Sequence, residues 1–392
     1  TSGMPAAADA WTAAEELNNA GKSSEAAEAF SALIRQEPQD ARGYIGRGRA
    51  FWQMRNFDAA IADFDKVIAL NPNDAGAYNY RALAYHSKGQ RDRAIPDFDR
   101  AIELNPGDAI FRFNRALTWD ALNEPDKAVA DFTKAIELNP KDGPSYRARA
   151  GILTKQGHYD KAIADCDEAI GLNERDGTAY FNRATAYDCK GEDDKALADF
   201  DKAIELSPNE AIYRNNRGFF LENHGDHDQA IANYDKAIAF SPNTAMFYNN
   251  RGHARLNKGE IDKAMTDINK AVELDPQSTK AFRNRAGAWL AQGEFEKAAA
   301  DSTRSLELNP QEARAYLIRG EAREALGDGK GAKQDALRAL ILGPQPLLGT
   351  ATAVPPEIMA REKPALRAFL EKDTPENRAR LAGVRHDHAF AI

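Results

Sequence analysis

A proline every 34 residues is the feature that most restricts what this chain can become. Pro38, Pro72, Pro106, Pro140, Pro208, Pro242, Pro276, Pro310 and Pro344 keep that step, and Glu174 stands where the column lacks its proline. A period this long and this strict marks an array of small supersecondary units. The units run 7–40, 41–74 and onward to 313–346, ten in all. A short piece, 1–6, precedes them, and a tail, 347–392, follows.

Other columns keep the same step. Alanine holds one in all ten repeats, from Ala26 and Ala60 to Ala332, and a second column is only ever alanine or glycine, as at Ala14, Gly48 and Ala82. Glycine marks the middle of eight repeats, among them Gly21, Gly89 and Gly327. On either side the apolar spacing is helical. In the second repeat Ala60, Ile61, Phe64, Val67 and Ile68 fall at i, i+1, i+4, i+7 and i+8, one face of a helix. Each repeat thus reads as helix A, a glycine turn and helix B. The small columns let the two axes approach, since a larger side chain there would overpack by roughly 1–3 kcal/mol. Asn-Pro, Ser-Pro or Asp-Pro stops most B helices, because proline cannot continue them and restricts the residue before it.

The motifs Tyr44…Gly48…Phe51…Phe57…Ala60…Phe64…Pro72 and Tyr180…Ala184…Tyr187…Gly191…Ala196…Phe200…Pro208 resemble the tetratricopeptide repeat. That resemblance implies an all-α fold: a right-handed superhelical solenoid of ten stacked helix pairs in which helix A lines a concave groove. Burial between neighbours supplies the core of such arrays. Ala13 and Leu17 in repeat 1, with Lys333 and Ala336 in repeat 10, break the pattern as end repeats do. Pro96 is expected in the first turn or so of a B helix, and Asn123, Pro125 and Glu174 suggest a slight bend. In the tail, Pro364–Lys372 and Thr374–Leu381 read as short helices forming a C-terminal helical cap. Thr374 serves as N-cap there and Gly383 as stop.

Composition narrows the function. Lys and Arg number 52 against 60 acidic residues, a net charge of -8, the opposite of what phosphate neutralisation requires, so nucleic acid is not an expected partner. No stretch reaches the roughly 20 apolar residues of a membrane helix, so membrane insertion is not expected either. Two cysteines, Cys166 and Cys189, form no metal spacing, and neither cofactor nor metal is expected. No catalytic set assembles. His224 and His227 read as solvated turn residues, His253 as a solitary groove histidine, and His386-Asp387-His388 as a coincidental pair near the terminus. Gly327-Asp328-Gly329-Lys330-Gly331 lacks the Ser/Thr of a phosphate loop and falls where the repeat demands a turn. Thr1-Ser2-Gly3 before Met4 reads as an expression scar, and a cytoplasmic location is expected, with a periplasmic or secreted one if a leader was removed.

The expected ligand is a protein or peptide in extended conformation. On helix A, Asn114, Asn182, Asn216, Asn250 and Asn284 share a column, and the preceding column adds Asn79, Asn215 and Asn249. A primary amide both donates and accepts, so a row of them suits the repeating N–H and C=O groups of a peptide backbone. The row is similar to the asparagine ladder of the O-linked N-acetylglucosamine transferase superhelix. Lys280 and Arg283 join this set as cations, and Phe181 and Phe219, with Trp52 and Phe113, as apolar anchors. Across six groove columns of repeats 2–10, seven basic residues stand against five acidic ones. That favours a ligand with apolar and some acidic character. The clamp by which family members grip a C-terminal carboxylate fails, since Ile318 follows Lys280 and Asn284. Arginine fills another column from Arg47 to Arg319, in step with aspartates from Asp63 to Asp335, and internal Arg–carboxylate forks are expected there. A substrate-recruiting region of a larger enzyme, or a homo-oligomer assembled through end repeats or tail, are the alternative roles.

Overall fold

In the computed structural model, which describes residues 7–342, the 34-residue unit is a pair of antiparallel helices repeated ten times. The first five pairs are α1 (Ala7–Asn19) and α2 (Ser23–Gln36), α3 (Ala41–Gln53) and α4 (Phe57–Leu70), α5 (Ala75–Ser87) and α6 (Arg91–Leu104), α7 (Ala109–Ala121) and α8 (Pro125–Leu138), and α9 (Gly143–Lys155) and α10 (Tyr159–Leu172). The second five are α11 (Gly177–Lys190) and α12 (Asp193–Leu206), α13 (Ala211–Asn223) and α14 (His227–Phe240), α15 (Ala245–Asn257) and α16 (Ile261–Leu274), α17 (Thr279–Ala291) and α18 (Phe295–Leu308), and α19 (Ala313–Ala325) and α20 (Gly329–Leu342). No strand occurs among the described residues. The helices expected within 347–392 lie outside the described residues, as do 1–6.

Local chemistry sets each boundary. After the Asn-Pro stop an aspartate opens the next A helix: Asp74 Oδ1 accepts from the Ala77 amide at 2.9 Å, and Asp108 Oδ1 from Ile110 at 2.9 Å. Such a cap satisfies one of the N–H groups orphaned at a helix start. At the A–B turn all eight column glycines take positive φ, between 74° and 85°. Where glycine is missing the turn is kept: Arg55 and Asn123 both adopt φ 60°. Pro96 lies deeper than its expected place, in the second turn of α6, yet the helix runs on to Leu104.

The alanine column is the core's narrowest point. Ala60, Ala94, Ala128 and Ala264 are wholly buried, as are Phe64, Phe98 and Phe132 beside them to within 1%. A Cβ on Gly48 would stand 2.7 Å from the Phe64 ring, so the small column is small because the aromatic fills its place. Cys166 occupies the aromatic's position in its repeat and is fully buried.

The described residues divide into two compact units, with the boundary between 182 and 183. In the first, α1, α3, α5, α7 and α9 touch in succession; in the second, α13, α15, α17 and α19 do so. The B helices pack chiefly on the A helices that flank them. Within each unit the A helices therefore form the inner layer of the curve, and their outward side is its concave face.

Candidate functional site

The arginine column resolves into a set of forks. Arg115 Nε donates to Asp131 Oδ2 and Nη2 to Asp131 Oδ1, both at 2.7 Å. Arg81–Asp97, Arg149–Asp165, Arg251–Asp267, Arg285–Asp301 and Arg319–Asp335 repeat that geometry, always 16 residues apart. The third nitrogen reaches back: Arg115 Nη1 donates to Asp99 at 2.6 Å and Arg251 Nη1 to Asp235 at 2.6 Å. One guanidinium thus ties helix A to the B helices of its own and the preceding repeat. Arg217, whose fork aspartate is replaced by Asn233, keeps the backward bond alone, to Asp201 at 2.7 Å. Hydrogen bonding to Asp131 outweighs desolvation and holds the Arg115 guanidinium above its ordinary value. These arginines build the stack, as their step with aspartate implied.

The asparagines of the row are largely bonded to one another. Asn79, Asn215, Asn249 and Asn284 are buried, between 2% and 6% exposed, and each hydrogen-bonds another asparagine. In the first unit Asn114 Nδ2 donates to Asn79 Oδ1 at 2.9 Å, and Asn182 Nδ2 to the Arg147 carbonyl at 3.1 Å. In the second they form a directional relay across three A helices. Arg283 donates to Asn284 Oδ1, Asn284 to Asn249 at 3.0 Å, Asn249 to Asn250 at 3.4 Å, Asn250 to Asn215 at 2.9 Å, and Asn215 to Asn216 at 3.1 Å. Inter-repeat links span 35 residues, so each joins one repeat to the next. A spent N–H cannot also bind a peptide, but an amide retains a second N–H and a second lone pair. That residual capacity belongs to the half-buried members, Asn114, Asn182, Asn216 and Asn250.

Arg283 belongs to the same network. Its side chain is 15% exposed, ion-paired with Glu312 at 3.0 Å and forked onto Asn284. Burial pulls its guanidinium below its ordinary value despite the Glu312 charge. Lys280 is exposed, while Phe181 and Phe219 are half-buried on the A-helix layer.

What remains presented is a smaller set. In the first unit Arg49, Trp52, Gln53, Phe64, Tyr80 and Leu83 line a cavity of about 210 Å³ between α3 and α5. Trp52 is 40% exposed, and its indole N–H donates to the Ser87 hydroxyl at 3.0 Å, which fixes the ring at the rim. Arg49 stands beside it, paired at 3.1 Å with the half-exposed Glu15. Composition alone hid this hollow, because Tyr80 and Leu83 come from the repeat after Trp52; the signal was aromatic residues at groove columns of adjacent repeats.

In the second unit the histidine expected to be solitary is held. His253 Nδ1 lies 2.5 Å from Glu222 Oε1, and Asn257 Nδ2 donates to the same oxygen at 3.1 Å. Tyr234 donates its hydroxyl to Glu222 Oε2 at 2.9 Å, and burial pushes the phenol up. His224 is also not merely solvated: Nε2 meets Asp193 at 3.0 Å and the ring packs on Phe220. Burial raises the Cys189 thiol to about 11, with Asp188 adding to it, which leaves it unreactive at neutral pH. Burial likewise raises Asp188, to about 6, against the opposing charge of His224. Among the described residues no group of His, Cys, Asp and Glu is arranged to hold a metal, and no helix is long and apolar enough to cross a membrane.

Family models extend this picture to known proteins. Models described as tetratricopeptide repeat match residues 12–75, 45–90, 75–108, 109–142, 132–164, 178–210, 200–232, 247–278 and 285–345, and one described as TPR repeat matches 223–259. No curated protein matches the chain. Among solved structures, a tetratricopeptide repeat protein from Parabacteroides merdae is 20% identical with a TM-score of 0.53, over 60% of this chain and 93% of that one. A chain of the APC/C hetero-tetramer Cut9–Hcn1 is 18% identical with a TM-score of 0.55, over 76% of this chain and 58% of its own length. At these identities the likeness speaks for the fold. Ten helix pairs of one period, matched over most of their length by models of one family, place the chain in the tetratricopeptide repeat family.

Proposed function

We propose that this protein is an interaction scaffold that binds an extended polypeptide along the A-helix face. The observation that carries this reading is the hollow between α3 and α5, where Trp52, Tyr80 and Leu83 surround an opening of about 210 Å³ on the concave layer of the first unit. Exposed aromatic surface at a concavity is what a protein keeps for a partner's apolar side chain. Arg49 and Gln53 at its rim offer polar contacts to the flanking backbone. The half-buried asparagines extend such contacts along the inner layer of each unit, Asn114 and Asn182 with Phe181 in the first and Asn216 and Asn250 with Phe219 in the second. Lys280 adds an exposed cation. In this reading the asparagine row supports the peptide-binding face more than it touches the peptide. The A-helix layer of each unit then offers its own stretch of binding face, and the role is recruitment rather than catalysis.

The test is a selection. Peptides of random sequence are selected on the full chain and then titrated against Trp52→Ala, Phe219→Ala and a B-helix surface variant, Lys134→Ala. Groove binding predicts affinity losses of about tenfold or more for at least one of the first two and none for the third. Selected peptides that bind all three variants as well as the parent would overturn the reading.

A further inference from the structure

Glu222, Tyr234, His253 and Asn257 form a polar cluster that no other repeat reproduces. The aromatic column that gives Phe64, Phe98, Phe132 and Phe200 becomes tyrosine at 234, and its added hydroxyl goes to Glu222 at 2.9 Å. The Glu222 side chain is 5% exposed, and no lysine or arginine among the described residues pairs with it. A buried carboxylate without such a partner needs donors, and it has three: Tyr234, Asn257 and His253.

With Glu222 as a carboxylate, which only accepts, the 2.5 Å contact assigns the donor role to His253 Nδ1. In the neutral ring the other nitrogen is then the acceptor; in the charged ring it is a donor. Nε2 meets no protein partner among the described residues, and the side chain is 34% exposed on the A-helix layer. Several charges on the helices packed against α15 are engaged with one another. From α13 comes Glu222 itself. Asp235 of α14 pairs with Arg251, Asp267 of α16 with Arg251 and Arg255, and Arg283 of α17 with Glu312. Of these charged groups only Glu222 touches the ring. On the same layer of the next two repeats, Lys280 is exposed and Arg314 half-buried, and neither has an ion-pair partner among the described residues.

We propose that His253 is a proton-gated ligand contact, with Glu222 and Tyr234 as its positioning residues, and that the occupant it selects is an acidic side chain of an extended polypeptide. This deepens the groove reading above and rests on it. Imidazole is the side chain that changes charge between about pH 5 and 8. When His253 is protonated, Nε2–H points outward as a charged donor while Glu222 neutralises the ring from behind. The same layer carries Lys280 and Arg314 as cations, with Glu321 and Glu324 on the A helix of the last repeat. When the proton leaves, Nε2 becomes an acceptor and faces a carboxylate with a lone pair.

Two fluorescein-labelled peptides serve as probes, acetylated (Glu-Ala)₄ and its isostere (Gln-Ala)₄, titrated by anisotropy at about pH 5.5 and about pH 8. The parent protein is expected to bind the glutamate peptide about tenfold more tightly at the lower pH, and the glutamine peptide equally at both. His253→Gln, whose amide N–H can take the place of Nδ1–H at Glu222, should abolish the difference while the far-ultraviolet spectrum stays that of the parent, and Glu222→Gln should diminish it. Lys280→Ala should weaken glutamate-peptide binding at both pH values. The proposal is overturned if His253→Gln keeps the pH dependence, if the glutamine peptide shows the same dependence, or if the glutamate peptide fails to bind. In each of those cases the wider groove reading still stands or falls on the selected peptides and the Trp52 and Phe219 variants, so the two failures are distinguishable.

Discussion

Arg183 donates to Asp199 through two nitrogens, at 2.7 and 2.9 Å, and its side chain is 19% exposed. Removing one partner of such a pair leaves a largely buried charge without compensation, at a cost of roughly 3–5 kcal/mol. Arg183→Ala should therefore lower stability by about that amount in chemical denaturation, while affinity for groove-selected peptides stays unchanged. Equal stability with lost binding would return the arginines to the ligand. A second residue-scale prediction concerns Asp188. Its carboxyl is raised to about 6, from an ordinary 3.8, so the folded state holds a proton that the unfolded chain has released. Stability contributed by that group is present at low pH and lost as pH rises from about 4 to about 6. Asp188→Asn should remove this slope and raise stability at neutral pH by up to about 2 kcal/mol, read from melting curves taken across that range. The forks were legible from sequence because two columns of opposite charge, held at one spacing on half-buried faces, satisfy each other's desolvation by pairing. The asparagines were not, because an amide pairs equally well with a peptide and with another amide.

At the scale of the element, the turn between A and B imposes its backbone whatever residue occupies it. Arg55 and Asn123 accept φ 60° where eight repeats use glycine. The left-handed conformation costs an ordinary L-residue about 1–2 kcal/mol, partly offset by the entropy glycine loses on folding. Arg55→Gly should thus stabilise by up to about 1 kcal/mol in denaturant titrations, and no change would show that the Arg55 side chain compensates by packing. Pro96 sits inside α6, in its second turn. Equivalent positions carry Ala62, Ala130, Ala164, Ala198 and Ala232, so Pro96→Ala restores both an N–H and the favoured residue. A gain approaching about 3 kcal/mol is expected, the cost of proline inside a helix, and thermal melts of the two proteins would show it. The helix pair, its turn and its caps were all readable along the chain, since each depends on residues within a few positions of one another. Pro96 lies about a turn deeper in its helix than the spacing predicts, because the spacing does not show where the first N–H begins to be bonded.

For the molecule as a whole, each described repeat packs chiefly on its neighbours within its unit, so stability approaches a sum of local terms. Phe132 is fully buried against Phe113, with ring centroids 5.6 Å apart. Phe132→Ala should cost about 3–5 kcal/mol and express it locally. Amide hydrogen exchange is expected to quicken in α7 to α9 and stay unaltered in α15 to α18; uniform quickening would mean the chain unfolds as one cooperative body. The sequence by itself determined the period, the helix pairs, the buried columns and the arginine forks, because those interactions repeat at short, constant separations. Tertiary structure alone decided which polar groups are left for a ligand. Whether Asn250 meets Asn215, or Glu222 meets His253, depends on how one A helix is rotated against the next, and that rotation is set by packing between repeats.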